Sequence, residues 1–368
     1  HLWSETWDRT LNDVFAIQDE IAQAVVQQLK IELLGQTPTV VETDPQAYSL
    51  YFQAKAIWRQ RSQDAGSSAL TILEQALQID PEYKDALVLQ ARIYRGLASA
   101  YVIPMQGGLS KARAALRQTL MLDPDFAPAH AVLAHIALGS DRLEEAAAHL
   151  QRALELAPSD PDVLATASSL AWNLGRMELA LSLDRYALQL DPANPAAYSA
   201  IASNYVYAGH YDAAIEAYQT ALALSPASRA GYYWLGLAQM FAGDFEAALA
   251  SFPRDEDPEY ALKGQVLALW ELGRKDDFAN KFEELKAGWG EQWPSEMAHV
   301  YAYTGQVELA FEWLDKALAQ KEEGMAHQFT LPFYKNLYDD PRWALFRERT
   351  NTAQEFLDSI PLVVSVPQ

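Results

Sequence analysis

Apolar residues recur at helical spacing through most of the chain. They fall at Leu143, Ala146, Ala147, Leu150, Ala153 and Leu154, resume at Leu179, Leu183, Ala187 and Leu190, and return at Ala214, Ile215, Tyr218, Ala221 and Leu222. A stripe on a 3.6-residue period predicts amphipathic helices. The helices are themselves periodic: Pro124, Pro158, Pro192 and Pro226 lie 34 residues apart, as do Ala146, Ala180, Ala214 and Ala248, and Gly175, Gly209 and Gly243. Three residue types on one period predict a tandem array whose unit is a pair of helices. Asp80-Pro81, Asp123-Pro124 and Asp191-Pro192 are expected to start helices, the carboxylate capping and the proline entering the first turn. The glycines fall between the two helices of a unit, where a tight reversal calls for positive φ. The alanines let helix backbones approach closely.

Some stretches depart from the period. Asp255 stands where a small residue belongs, so Phe252 to Glu259 should carry a truncated or bent second helix. Ile103 to Gly108 reads as an inserted loop that covers one edge. Near the start, Val14, Ile17, Ile21, Val25 and Leu29 form one stripe on a long helix capped by Asn12 or Asp13, after a strand-like His1 to Arg9. The apolar tail Ser359 to Gln368, punctuated by prolines, is expected to fray or to pack along the chain's own surface.

The 34-residue helix-turn-helix resembles the tetratricopeptide repeat. In the unit from Pro195 to Pro226, the residues Tyr198, Ile201, Ala202, Tyr205, Gly209, Ala214, Tyr218 and Ala221 all stand on signature positions. The next unit keeps Tyr232, Leu235, Gly236, Gly243, Ala248 and Phe252 before departing. The resemblance implies an all-α, right-handed solenoid of about eight helical pairs, degenerate at both ends. The segment Asp13 to Ile21 looks like the end of the TolB-like region that precedes such repeats in bacterial class III adenylate cyclases and winged-helix activators, and Leu337 to Trp343 with Phe346 resembles how those proteins end. The expected organisation is a TolB-like remnant and connecting helix over 1–44, two degenerate repeats over 45–125, regular repeats over 126–257, degenerate repeats with a capping helix over 258–358, and the tail 359–368.

Composition narrows the function. The 368 residues carry 28 basic and 49 acidic side chains, a net charge of −21, and no cysteine. Disulfides, thiolate metal sites and a cysteine nucleophile are excluded. The charge opposes binding to phosphate backbones, so nucleic acid is not an expected partner. No stretch is apolar over the ~18 to 20 residues that span a bilayer, so direct membrane insertion of this segment is not expected. Gly107-Gly108-Leu109-Ser110-Lys111 lacks the spacing and the preceding strand of a phosphate loop. His130 and His135 are five apart with no glutamate between, so neither they nor His149 suggest a metal site. Glu144-Glu145, Asp276-Asp277 and Glu283-Glu284 read as solvated helix faces. No catalytic residue, cofactor or metal is expected, and the chain reads as a non-enzyme.

The resemblance implies that the first helix of each pair lines a concave groove. Groove positions then hold Trp172 and Asn173; Ser203 and Tyr207; Tyr233, Leu237, Met240 and Phe241; Leu267 and Trp270; and His299 and Tyr303. Aromatic side chains dominate interface energetics because they offer much contact area at little rotamer cost. A shift of one residue would instead place several of them in the core between repeats, and both readings stand. The expected function is an interaction or sensory scaffold, part of a larger bacterial regulatory protein, that binds a peptide or protein of apolar and basic character. A small-molecule or lipid sensor using the same groove, and a dimerisation arm, are the alternatives. Lys263 is the lone basic residue among these positions, so acidic C-terminal peptides are poor candidates. The membrane-anchored relatives imply an extracytoplasmic location, with a cytoplasmic one left open.

Overall fold

The computed structural model describes residues 43–59, 64–99, 102–226, 230–320, 322, 329 and 332–364. The N-terminal strand-like end, the long helix over 12–29 and the TolB-like remnant fall outside the described residues, apart from Thr43 and Asp44. The chain divides into two compact units, 1–132 and 133–368.

The described residues form eight helical hairpins. They are α1 Pro45–Arg59 with α2 Ala65–Ile79, α3 Lys84–Ser99 with α4 Met105–Leu122, α5 Ala127–Leu138 with α6 Leu143–Leu156, and α7 Pro161–Asn173 with α8 Met177–Leu190. Then come α9 Pro195–Tyr207 with α10 Tyr211–Leu224, α11 Gly231–Phe241 with α12 Phe245–Ser251, α13 Pro258–Glu271 with α14 Lys275–Trp289, and α15 Pro294–Tyr303 with α16 Val307–Ala319. A 3-10 segment Pro332–Leu337 precedes α17 Pro341–Arg349 and α18 Gln354–Ser359. The boundary between the units lies within α5.

Gly175, Gly209, Gly243, Gly273 and Gly305 all take positive φ in the hairpin turns. Asp141, one period before Gly175, adopts the same left-handed conformation with φ 53°. The Asp-Pro pairs, however, end helices rather than start them. Asp80, Asp123 and Asp191 are the C-terminal caps of α2, α4 and α8. Their carboxylates accept the N–H two residues on, from Glu82 at 3.1 Å, Asp125 at 3.1 Å and Ala193 at 3.2 Å. An Asp side chain closes an Asx turn as readily as it caps a helix, and the pair alone does not distinguish the two. The carboxyl or amide caps that do start helices before proline are Asp44, Asp160, Asn194, Asp257 and Asp340.

In the first unit, Leu73, Tyr83, Leu89, Ile93 and Leu97 pack with Ala54, Ala69 and Ala76 as one core. The expected loop Ile103 to Gly108 is mostly helix, since α4 already begins at Met105. Gly108 explains the difference: a Cβ there would lie 2.7 Å from the Ala98 side chain and 3.0 Å from the Tyr94 carbonyl, so the glycine admits close packing of α4 on α3. The extra residues lengthen α3 and α4 to 16 and 18 residues.

In the second unit α12 is short, seven residues followed by a 3-10 turn Phe252–Arg254, as the sequence led one to expect. Phe252 is fully buried between two first helices, where Gly236 and Gly264 leave room for its ring. Asp255, itself buried, accepts the Tyr233 N–H at 3.0 Å and the Asp257 N–H at 3.1 Å. The period continues past α16. Phe333, Asn336 and Arg342 lie 34 residues after His299, Ala302 and Glu308, and each meets its counterpart. The 3-10 segment thus takes the place of a first helix and α17 that of a second. Among the described residues no helix is long and apolar enough to cross a membrane.

Candidate functional site

Large side chains at the ends of α7 and α9 and in the first turn of α11 are brought together by packing. Trp172 at the end of α7 stacks on Tyr207 of α9, with ring centroids 4.4 Å apart at 27°. Tyr207 meets the edge of Trp234 on α11 at 6.4 Å. All three are partly buried residues, and burial holds the Tyr207 hydroxyl well above its ordinary value. Trp234 was not among the expected groove residues; it follows Tyr233 in α11, and only the register of α11 against α9 turns it toward Tyr207.

Further along, the row is covered by the chain itself. Phe241 contacts Phe333 at 5.6 Å, and Phe333 also meets His299 at 5.2 Å and Tyr303 at 6.0 Å. Asn336 donates its side-chain amide to the carbonyls of Ala302 at 2.9 Å and Tyr303 at 3.1 Å, fixing the 3-10 segment at the end of α15. His299 and Tyr303 are therefore buried, and so are Tyr233, Leu237 and Met240. Leu237 and Met240, with Leu267, belong to the core. Ser203 shares a hydrogen bond with the Tyr218 hydroxyl at 2.7 Å, and Asn173 donates to the Ser169 carbonyl of its own helix. Trp270 stands apart, 41% exposed and packed on Phe278 of α14 at 5.2 Å. The expected open trough thus divides into an accessible stretch at Trp172, Tyr207 and Trp234 and a stretch filled by Phe333.

Beneath the filled stretch lies a buried ionic cluster. Lys263 on α13 pairs with Glu296 on α15, and its ammonium sits 4.9 Å from the Tyr233 ring centroid and 5.4 Å from that of Tyr260. Burial by itself would push Lys263 down, but Glu296, Tyr233 and Tyr260 outweigh it and hold the lysine well above its ordinary value. Burial likewise favours a neutral Glu296, and the opposing charge of Lys263 with the help of His299, 3.1 Å away, drives it well below the usual carboxylate range. The pair is ionised. Glu322 accepts both the hydroxyl and the N–H of Ser295, in the first turn of α15. Burial raises Glu322 to about 7, against the Ser295 hydrogen bonds that lower it. In the sequence Lys263 stands out as a lone cation while Glu296 and Glu322 do not, since a Glu has no local signature when its partner lies in another helical pair.

A second buried polar cluster joins the regular repeats. Asn204 donates to Asp184 at 2.6 Å and to the Ser168 hydroxyl at 3.0 Å, and burial lifts Asp184 to about 6 against those hydrogen bonds. The remaining candidates have ordinary surroundings. His130 Nε2 lies 2.9 Å from the Pro124 carbonyl. Glu144 and Glu145 occupy the first turn of α6, where Glu145 pairs with Arg142 at 2.7 Å. Among the described residues no group of three or more metal-ligating side chains converges.

Comparison with known proteins settles what the repeats are. Family models described as tetratricopeptide repeat match residues 105–170 and 199–261. The chain is a tetratricopeptide repeat protein. Over 85 residues it is 34% identical to a Rhizobium meliloti (strain 1021) protein named Putative adenylate cyclase 3; the match is 22% of this chain and 14% of that protein's length. Among solved structures, the human IFIT1 dimer with m7Gppp-AAAA superimposes with a TM-score of 0.53 at 16% identity, over 83% of this chain and 78% of that one, and shares the fold. PilW, a type IV pilus biogenesis factor, gives a TM-score of 0.43 at 20% identity, over 58% of this chain and 93% of that one. A tetratricopeptide repeat array presents surfaces for protein interaction, and the aromatic row described above lies on the first helices of its repeats.

Proposed function

We propose that the chain is a non-catalytic polypeptide-binding module of a larger bacterial signalling or regulatory protein, and that a partner segment binds along Trp172, Tyr207 and Trp234. The observation that carries this reading is the row itself: three partly buried rings on successive first helices, one pair stacked and the next edge to face, continued by a stretch where an inserted phenylalanine is already accommodated. Phe333 exemplifies the side chain that the row takes, and Asn336 shows how a polar neighbour fixes backbone carbonyls beside it. A net charge of −21 favours a partner segment with basic as well as apolar side chains. The stretch similar to an adenylate cyclase supports a signalling context. We place the module outside the cytoplasm by analogy with anchored regulators of this kind, which a fusion of the parent protein to a compartment-sensitive reporter would test.

Selection of peptides from a displayed library on the full chain tests the binding site. Enriched sequences should pair an aromatic anchor with Lys or Arg. Their affinity should fall at least tenfold in Tyr207→Ala and in Trp172→Ala, and stay unchanged in Trp270→Ala, whose ring lies elsewhere. No enrichment, or equal binding by all three variants, would contradict the reading.

A further inference from the structure

The tail segment Ile360–Leu362 rests on a specific partner. Arg176, in the turn between α7 and α8, donates to the Ile360 carbonyl at 2.7 Å and to the Leu362 carbonyl at 3.4 Å. In an extended chain carbonyls two residues apart point to the same side, and Ile360 has extended backbone angles, φ −80° and ψ 120°. Burial alternates in step: Ile360 and Leu362 are buried, while Pro361 and Val363 face solvent. Gln354, at the start of α18, lies against Gly175 in the same turn. The tail is therefore seated as a short extended peptide, read through its backbone by one guanidinium and through two aliphatic side chains.

We infer that Arg176 and the α7–α8 turn form a second peptide site, distinct from the aromatic row, which takes an extended segment with large aliphatic residues flanking a proline and which the chain's own tail occupies until a partner segment of that pattern displaces it. Carbonyl recognition is indifferent to side-chain identity, so the aliphatic alternation alone sets the preference. The proline suits the occupant because it holds an extended backbone and needs no hydrogen-bond partner for an N–H. Exchange is favoured by scale. Burying two aliphatic side chains gains about as much as ordering four extended residues costs, so the seated and released tails are close in free energy. The tether then acts as a local competitor at an effective concentration near the millimolar range.

The test uses the full chain and a fluorescent synthetic peptide spanning residues 356–364. In Ile360→Asp/Leu362→Asp the tail is expelled while Arg176 remains, and anisotropy should show the peptide binding about twofold more tightly than to wild type, the gain expected from freeing a site that the tail fills about half the time. Adding Arg176→Ala should abolish that gain. The absence of cysteine allows a single nitroxide at Val363→Cys, and its spectrum should sharpen when Arg176→Ala is introduced or when unlabelled peptide is added in excess. Equal peptide affinity in wild type and the tail-expelled variant, a gain that survives Arg176→Ala, or a nitroxide equally mobile with and without Arg176 would overturn the inference. A melting temperature and circular dichroism spectrum matching wild type confirm that each variant is folded.

Discussion

The hairpin α9–α10 and the last repeat, 3-10 segment plus α17, share one period but solve the same packing problem differently. In the regular hairpin, Ile201, Ala202, Ala214, Tyr218 and Ala221 fill the interface, and the buried polar groups nearby form the hydrogen-bonded cluster of Ser168, Asp184 and Asn204. In the last repeat the first helix is replaced by a six-residue 3-10 segment, and the space is filled by rings: Phe329, Phe333, Tyr334, Trp343 and Phe346, with Tyr334 stacked on Trp343 at 5.1 Å. Next to it lies the ion pair of Lys263 and Glu296. The 34-residue spacing thus fixes where side chains meet, not which secondary structure delivers them. Small residues permit helix-on-helix packing; where they are lacking, aromatics and a buried charge pair close the gap.

The largest effect should come from breaking the ion pair. Lys263→Ala leaves Glu296 buried and uncompensated and should cost about 3–5 kcal/mol in a urea melt, whereas Lys263→Met combined with Glu296→Leu should recover most of it. The corresponding change in the regular repeats, Asn204→Ala, should cost only about 1–3 kcal/mol, because a neutral donor is lost and Asp184 can take up a proton. Equal losses would remove the distinction between the two regions.

Next in size is the space around Phe252. A Cβ at Gly264 would lie 2.1 Å from that ring, so Gly264→Ala should destabilise by about 1–3 kcal/mol through overpacking. Gly209, with open space around it, suffers only from its φ of 78°, and Gly209→Ala should cost about 1 kcal/mol.

Two raised carboxyls of the second unit, Glu322 and Asp184, predict a pH dependence that differs by region. Glu322 is raised in the folded chain to about 7 from an ordinary 4.5, so its protonated form favours folding. That contribution is complete below pH 4.5 and is lost as pH rises to about 7. Glu322→Gln should therefore gain stability relative to wild type between pH 5 and 8, by about 1–3 kcal/mol, read as a pH-dependent difference in melting temperature. For Asp184, raised to about 6 from 3.8, the loss runs over a lower window, and Asp184→Asn should show its relative gain mainly between pH 4 and 6.5. Glu296, held low by Lys263, acts in the opposite sense and stabilises at neutral pH. The smallest effect belongs to the surface: Arg342 pairs with Glu308 and Asp340 in solvent, and Arg342→Ala should leave the melt unchanged within error.

Much of the fold was legible because it is local and repeated. The hairpin glycines, the alanines and the shortened second helix near Asp255 each follow from steric rules applied to a single unit. Asp-Pro was misplaced because the same carboxylate geometry serves both a helix start and a turn, and the Gly107-Gly108 stretch because glycines that mark loops also admit close helix packing. The site was less legible. Trp172 and Tyr207 stand out as large residues on first helices, but whether a groove position is open depends on what lies across it. Phe333 comes from a segment without helical periodicity, and Arg176 meets a tail more than 180 residues away in sequence.

Hydrogen exchange of the full chain with a library-selected peptide would locate the partner segment on the repeats. Protection is expected in the last turns of α7 and α9 and in α11, around Trp172, Tyr207 and Trp234, with none added at α14 beneath Trp270. Protection confined to other helices, or an exchange pattern unaltered by a peptide that demonstrably binds, would contradict binding along the aromatic row.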